Sequence, residues 1–268
     1  MEIESNFRVN TMNIRLDRFA VNMLIVALCF VAGYLYFGSG QKDANGQRKS
    51  RAEYMVDLNR LNAGLSGSPN DVELLLERAK TYGHLKMYQE DIQDCNKVLS
   101  MNSTSAQAYA ERANAYLKLG VTDKAQFDIE RAVNFSPRNG IFLSRQASVY
   151  NAIGDFQKAV DYSTSSIEIS SKYWEPYLNR GYAYDQLGNK EKAFEDYSMS
   201  IKLNPYEVAP FYYRGIIYGE RDLWKEAKSD LEAAFKLDSN SWPIRSRLRA
   251  VYQRLGIDPN KLDREGVK

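Results

Sequence analysis

The chain is poor in the residues that build catalytic and metal sites. It has one histidine, His84, and two cysteines, Cys29 and Cys95, among 268 residues. A metal centre or an activated nucleophile needs several such side chains close together, and no glycine-rich phosphate-binding loop is present. These scarcities argue against an enzyme, and we expect no cofactor, no metal and no small-molecule substrate. Cys29 lies in an apolar run and Cys95 at a core position, so we expect no disulfide.

A block of charge of one sign is also missing. The 36 basic and 34 acidic residues are interspersed and leave a formal net charge of +2. Proteins that bind nucleic acids usually concentrate lysine and arginine in one patch. The arginines of the last helix come nearest to such a patch, but they fit the polar outer face of a terminal helix better. We therefore expect no nucleic-acid partner.

Against these absences stands a strict internal repeat. Five stretches of 34 residues follow one another without insertion or deletion, at 72–105, 106–139, 140–173, 174–207 and 208–241. The eighth residue of each is small, and the twentieth is alanine in the last four. The eleventh is always tyrosine: Tyr82, Tyr116, Tyr150, Tyr184 and Tyr218. A fixed period of this length indicates one supersecondary unit stacked repeatedly.

Each stretch has the pattern of two antiparallel helices. Apolar residues recur at helical spacing, as in Leu75, Ala79 and Tyr82. Glycine interrupts the middle of three stretches, where the chain must turn between the helices. These glycines are Gly120, Gly154 and Gly188. The small eighth residue suits a close crossing of the two helices.

The first stretch departs from the pattern, because Asp91 stands where the other four have alanine. A carboxylate at a tight helix crossing has to reach water or a partner, or else loosen its unit. We therefore expect the first unit to be the least regular.

The pattern resembles the tetratricopeptide repeat family, which has the same period. The resemblance covers 72–241, and one unit carries most family positions: Tyr177, Gly181, Tyr184, Gly188, Ala193, Tyr197 and Pro205. It implies an all-α fold, a right-handed superhelical α-solenoid of five helix pairs. Residues 51–66 and 242–256 have the pattern of capping helices, and 257–268 that of a frayed tail.

Positions 7 and 23 of the units carry a matched pair of charges. The pairs are Arg78 and Asp94, Arg112 and Asp128, Arg180 and Asp196, and Arg214 and Asp230. Only the third unit lacks both charges, with Gln146 and Tyr162 instead. Their joint loss favours pairing within a unit, since pairing with the next unit would leave Asp128 opposite Gln146. We predict an ion pair inside each of the four units; the alternative is that both residues are separately solvated.

One long apolar run precedes the repeats. As a helix, residues 20–37 would measure about 27 Å, close to the hydrocarbon thickness of a bilayer. The sequence thus predicts a transmembrane helix at 19–38, after a short segment at 1–18 and before a flexible linker at 39–50. A cleaved signal peptide and a buried helix are the alternatives. Basic residues flank the two ends of this run in almost equal number. The arginines nearest to it slightly favour an orientation with the repeats outside the cytoplasm, for example in a periplasm.

The resemblance also implies a binding groove. In the family, positions 2, 5, 9, 12 and 13 form the concave wall, with help from 33 and 34. In the carboxyl-terminal half these residues include Tyr173, Leu178, Tyr182, Tyr206, Tyr212 and Ile216. The amino-terminal half has Lys80, Asn114, Lys118 and Arg138, with His84 beside them. We predict a groove that is aromatic at one end and mildly basic at the other, with Tyr182 and Tyr212 as central contacts. The alternative is that several tyrosines pack between repeats or against a carboxyl-terminal helix.

Together these features predict a single-pass membrane protein that acts as an adaptor or scaffold. It would bind a peptide or protein segment in the groove and help to assemble a membrane-associated complex. A permanent structural subunit of a membrane complex is the alternative. A receptor for acidic chaperone tails is disfavoured, because only Lys80 and Asn114 match the basic clamp of such receptors.

Overall fold

The structure is a computed structural model that describes residues 49–260 and residue 262. This part of the chain contains twelve α-helices and no strand. Helix α1 (Arg51–Gly67) precedes five helix pairs, and α12 (Trp242–Arg254) follows them. The paired helices are α2 (Val72–His84) and α3 (Tyr88–Met101), α4 (Ala106–Lys118) and α5 (Thr122–Phe135), α6 (Gly140–Ile153) and α7 (Phe156–Ile169), α8 (Glu175–Gln186) and α9 (Lys190–Leu203), α10 (Val208–Glu220) and α11 (Trp224–Leu237).

The helices form a solenoid, because each packs mainly against its neighbours in sequence. We call the first helix of each pair helix A and the second helix B. Helix A contacts its own helix B and the helix A of the next pair, as α6 contacts α7 and α8. The first repeat has helices of 13 and 14 residues, the same lengths as in the second repeat. The irregularity expected there is therefore absent from the helix lengths.

Side-chain caps begin several of the A helices. Asp71, Ser105 and Asn139 each accept a hydrogen bond from a backbone N–H in the first turn that follows. Such a cap satisfies one of the N–H groups that a helix leaves unpaired at its start. These residues therefore explain why the first three A helices start at the predicted places.

The close crossing of helix A and helix B is confirmed. The alanines at positions 8 and 20 are fully or almost fully buried, as are Ala113 and Ala125 in the second repeat. At Gly181 an added Cβ would lie 3.0 Å from the ring of Tyr197, and at Gly215 it would lie 3.0 Å from Leu231. A larger side chain at these positions would force the helices apart.

The turn between the two helices has the same backbone conformation in all five repeats. The three predicted glycines have positive φ angles, from 73° to 89°. Lys86 and Asp222 occupy the same position in the first and last repeats, with φ of 63° and 57°. The glycine prediction is confirmed, and the other two turns use residues that rarely adopt this conformation.

Both ends of the solenoid are covered. Helix α1 buries Tyr54 and three leucines against the first repeat, and Ser50 and Glu53 form a capping box at its start. Helix α12 buries Ile244, Leu248, Val251 and Tyr252. Of the predicted frayed tail at 257–268 the structure describes residues 257–260 and 262, and Asp258 and Asn260 among them are exposed. Ile257 and the buried Leu262 lie against the apolar cluster of α11 and α12.

No helix in residues 49–260 is both long enough and apolar enough to cross a membrane. The span predicted at 19–38 lies outside the described residues. The same is true of the segment at 1–18 and of the linker at 39–50, apart from its last two residues.

Candidate protein-binding site

The predicted Arg–Asp pairs connect the helices that carry the site, and we call these four pairs the frame. All four arginines bind the aspartate of their own repeat through Nε and Nη2, at 2.6–2.9 Å. The prediction of pairing within a unit is confirmed. The aspartate side chains are only 2–7% exposed, so these are largely buried pairs. The hydrogen bonds to the aspartates raise the pKa of each arginine.

Each of these arginines also binds the preceding unit. Its Nη1 donates to a polar side chain of the helix before it, as Arg112 does to Asn96 at 2.6 Å and Arg214 to Ser198 at 3.1 Å. In three repeats one guanidinium therefore joins helix A, helix B and the preceding helix B, and in the first repeat Arg78 binds Asn62 of α1 in the same way. This arrangement fixes the register of neighbouring repeats.

The third repeat replaces the ion pair with stacked rings. Tyr162 stacks on Tyr150 with ring centroids 5.3 Å apart, in place of the arginine that lies over this tyrosine in the other repeats. A buried hydrogen-bond network then joins α6 to α8. Asn151 donates to the Asn179 carbonyl at 2.9 Å, and Asn179 donates to the Ser144 carbonyl at 3.0 Å. These hydrogen bonds link the third repeat to the fourth without an ion pair in the third.

Two predicted groove residues belong to the core. Leu178 is buried in the cluster of repeats four and five, and Tyr182 is 5% exposed. The Tyr182 ring lies 6.2 Å from the Phe156 ring and 5.6 Å from the Tyr213 ring, between neighbouring repeats. Packing of neighbouring repeats removes both side chains from the concave surface. For Tyr182, the alternative of packing between repeats describes the structure.

The other predicted residues of the concave face are mostly half-buried. Tyr212 and Ile216 are in this class, and the Tyr212 ring lies 5.4 Å from the Tyr213 ring. Asn114 is half-buried and lines a cavity of about 30 Å³ between α4 and α6. Lys118 is half-buried too, and burial lowers its pKa to about 8. Among these residues of the concave face, only Lys80 is exposed.

The remaining predicted residues are exposed at one edge of the solenoid. Each loop between repeats joins the end of a helix B to the start of the next helix A, so these loops follow one another along the same edge. We call the loops at 136–139, 170–174, 204–207 and 238–241, with the residues flanking them, the loop edge. Arg138, Tyr173 and Tyr206 lie there, and all three are exposed. The predicted groove residues are therefore divided between two surfaces.

An open depression lies at the middle of the loop edge. Arg138 and Tyr173 line it together with Ile141 and Ile169, which are also exposed. Arg138 supplies the charge in its lining. The depression thus combines exposed apolar side chains with one guanidinium.

The loop edge continues to Trp242, which sequence reasoning did not select. This side chain is 73% exposed, and Tyr206 in the preceding loop is 47% exposed. Four of the five exposed aromatic side chains in the described part lie at this edge: Phe135, Tyr173, Tyr206 and Trp242. A tryptophan immediately after a repeat boundary was the available signal for it.

The opposite edge differs in its side chains. The turns between helix A and helix B expose aliphatic residues, among them Leu119, Ile153, Leu187 and Leu223. Among the described residues, no exposed aromatic side chain lies in these turns. The loop edge is therefore the best candidate for a binding surface.

In the described part of the chain, no three His, Cys, Asp or Glu side chains come together as a metal site.

Comparison with known proteins supports this reading of the fold. The tetratricopeptide repeat models match residues 106–139 and 174–207, two of the five units. No curated protein sequence matches the chain. The described part is an all-helical solenoid that contains tetratricopeptide repeats. Proteins with these repeats are generally non-enzymatic scaffolds that mediate protein–protein interactions.

The solved structures that resemble the solenoid include the following three. A chain of the APC/C hetero-tetramer Cut9–Hcn1 is 15% identical with a TM-score of 0.71, over 81% of this chain and 43% of that one. TTC0263, a thermophilic TPR protein of Thermus thermophilus, is 18% identical with a TM-score of 0.60, over 68% and 99%. A tetratricopeptide repeat protein from Parabacteroides merdae is 15% identical with a TM-score of 0.60, over 92% and 90%. At these identities the likeness shows the fold alone.

Proposed function

We propose that this protein is an adaptor, anchored in a membrane by residues 19–38, which binds a segment of a partner protein along its loop edge. The observation that carries the proposal is the exposure of Tyr173 and Tyr206 in two consecutive loops and of Trp242 directly after the third. Tyrosine, tryptophan and arginine are the residues that contribute most often to the binding energy of protein interfaces. Arg138 adds a guanidinium at the depression.

The dimensions of the loop edge suit a short extended segment. Packed helices lie about 8–10 Å apart, so three consecutive loops span roughly 20 Å. An extended chain rises about 3.3 Å per residue, and a segment of about six residues would cover the row. An apolar side chain would enter the depression at Ile141 and Ile169, and Tyr206 and Trp242 would cover the rest. This geometry favours a linear segment of a partner.

The anchor is part of the proposal because the sequence supports it. The apolar run at 19–38 is long enough to cross a bilayer, and the linker that follows ends at Ser50, where α1 begins. Such an arrangement would hold the solenoid beside the membrane with its loop edge available to a partner. In this proposal the repeats lie outside the cytoplasm.

The test compares two edges of the same solenoid. Full-length protein is crosslinked in native membranes and purified, and its main partner is quantified for the wild type and two double variants. Tyr206→Ala with Trp242→Ala should reduce capture at least tenfold, because each truncation at a central contact costs about 1–2 kcal/mol and 1.4 kcal/mol is a factor of ten. Leu187→Ala with Leu223→Ala, on the opposite edge, should leave capture unchanged. Undiminished capture by the first variant would move the binding site off the loop edge.

A further inference from the structure

Position 20 of the repeat is a buried contact between helix A and helix B, and the first repeat places a carboxyl group there. Four repeats have alanine at this position, all fully buried: Ala125, Ala159, Ala193 and Ala227. Asp91 is also buried, at 1% exposure, so of the expected outcomes it reaches a partner, the Cys95 thiol, and not water. An ionised carboxylate is very costly at such a place unless it is paired and hydrogen-bonded.

The surroundings of Asp91 accommodate its shape but stabilise little negative charge. Its Oδ1 accepts a hydrogen bond from the Cys95 thiol at 3.4 Å, and a thiol is a weak donor. Its Oδ2 lies against Gly83 of α2, where an added Cβ would be 3.2 Å away. The missing side chain of Gly83 therefore provides the space that the carboxyl group fills.

A second buried carboxyl group lies at the joint between the first and second repeats, where its charge acts on Asp91. Glu111 of α4 accepts hydrogen bonds from Gln107 at 2.7 Å and from Arg145 of α6 at 3.2 Å. Glu111 is almost fully buried. The region where the first three repeats meet therefore holds two carboxyl groups and a single arginine that pairs with one of them.

The other charged groups near this joint have partners of their own. On α3, Asp94 accepts two hydrogen bonds from Arg78 of α2. On α4, Arg112 donates two hydrogen bonds to Asp128 of α5. These pairs are complete without Asp91. Neither arginine therefore donates a hydrogen bond to Asp91.

We propose that a proton on Asp91 holds the first repeat against the second, and that loss of this proton loosens the first repeat together with α1. In its neutral form the carboxyl group fits beside the Glu111–Arg145 pair. In its ionised form it adds a second negative charge that the single arginine does not match. Residues 1–48 precede α1 and the first repeat in the chain. In sequence, the joint therefore lies between the predicted anchor and the loop edge.

The direction of the pH effect follows from the two states of the carboxyl group. Burial, with the nearby charge of Glu111, raises the pKa of Asp91 from 3.8 to about 8. The folded state therefore holds a proton between roughly pH 4 and pH 8 that the unfolded state has released. Stability must fall as pH rises through this window and level off above it. With one proton linked, the opening constant rises up to about tenfold per pH unit.

Hydrogen exchange of the full chain tests the joint. The opening constants of α2 and α3 are measured relative to those of α10 and α11 at pH 5.5 and pH 7.5, after correction for intrinsic exchange rates. The wild-type ratio should rise about 100-fold over these two pH units. Asp91→Asn keeps the shape of the side chain but cannot titrate. Its ratio of opening constants should therefore change less than threefold between the two pH values. Asp57→Asn in α1, where Asp57 accepts a hydrogen bond from Lys49 near the surface, should keep the wild-type slope.

A second substitution checks that the result does not depend on the particular side chain introduced by Asp91→Asn. Asp91→Ala installs the residue that the other four repeats have at this position, and it should also lose the pH slope. Equal slopes in the wild type and both variants would overturn the proposal. Failure of both variants to fold at pH 5.5 would overturn it as well, because an uncharged side chain at this position should be tolerated.

Discussion

The concave face and the loop edge are built from the same repeats, yet their aromatic side chains have opposite environments. On the concave face Tyr182 is packed between Phe156 and Tyr213, which come from the repeats on either side. At the loop edge Tyr206 and Trp242 are exposed to solvent. Successive A helices pack against each other, and this packing covers the Tyr182 ring. Tyr182 therefore contributes to stability, whereas Tyr206 and Trp242 are exposed to a partner.

The largest expected effect comes from a concave tyrosine. Tyr182→Ala removes a buried ring, and such truncations lower the free energy of unfolding by about 3–5 kcal/mol. Trp242→Ala removes an exposed ring, and we expect a change within about 0.5 kcal/mol. Urea denaturation of both variants measures the difference. Similar losses for the two variants, or a stable Tyr182→Ala variant, would contradict the contrast between the surfaces.

A smaller effect is expected from the frame that carries both surfaces. In a double-mutant cycle of Arg214→Ala and Asp230→Ala, we expect a coupling energy of about 1–3 kcal/mol, because the aspartate is 7% exposed and accepts two charged hydrogen bonds. The matched pair is Arg60 and Glu77, whose side chains are more than half exposed. Its coupling should stay below about 1 kcal/mol. A coupling energy near zero between Arg214 and Asp230 would show that this ion pair does not stabilise the solenoid.

Much of the fold could be predicted because its determinants are local and repeated. The period located each helix A to within one residue, and the small residues at position 8 indicated the close crossings. The Arg–Asp pairs could be inferred from a comparison among repeats, since Gln146 and Tyr162 replace both charges together. The left-handed turns at Lys86 and Asp222 escaped prediction, because neither residue gives the signal that glycine does.

The candidate site was predicted only in part, because exposure depends on side chains from neighbouring units. The sequence places Tyr182 and Tyr206 among the groove residues alike, and packing against Phe156 and Tyr213 buries the first. Trp242 lies outside the five repeats and was assigned to a cap, although its side chain is the most exposed of the large apolar residues described. Position in the repeat predicted the helix face, but three-dimensional packing decides which residues a partner can reach.

Photo-crosslinking from single positions tests the proposed binding surface most directly. A photo-reactive phenylalanine analogue is placed in the full-length protein at Tyr206 on the loop edge or at Tyr212 on the concave face, and the protein is irradiated in native membranes. The account predicts a discrete adduct with a partner protein from position 206 and none from position 212. An adduct from position 212 without one from position 206 would contradict it and return the binding site to the concave groove.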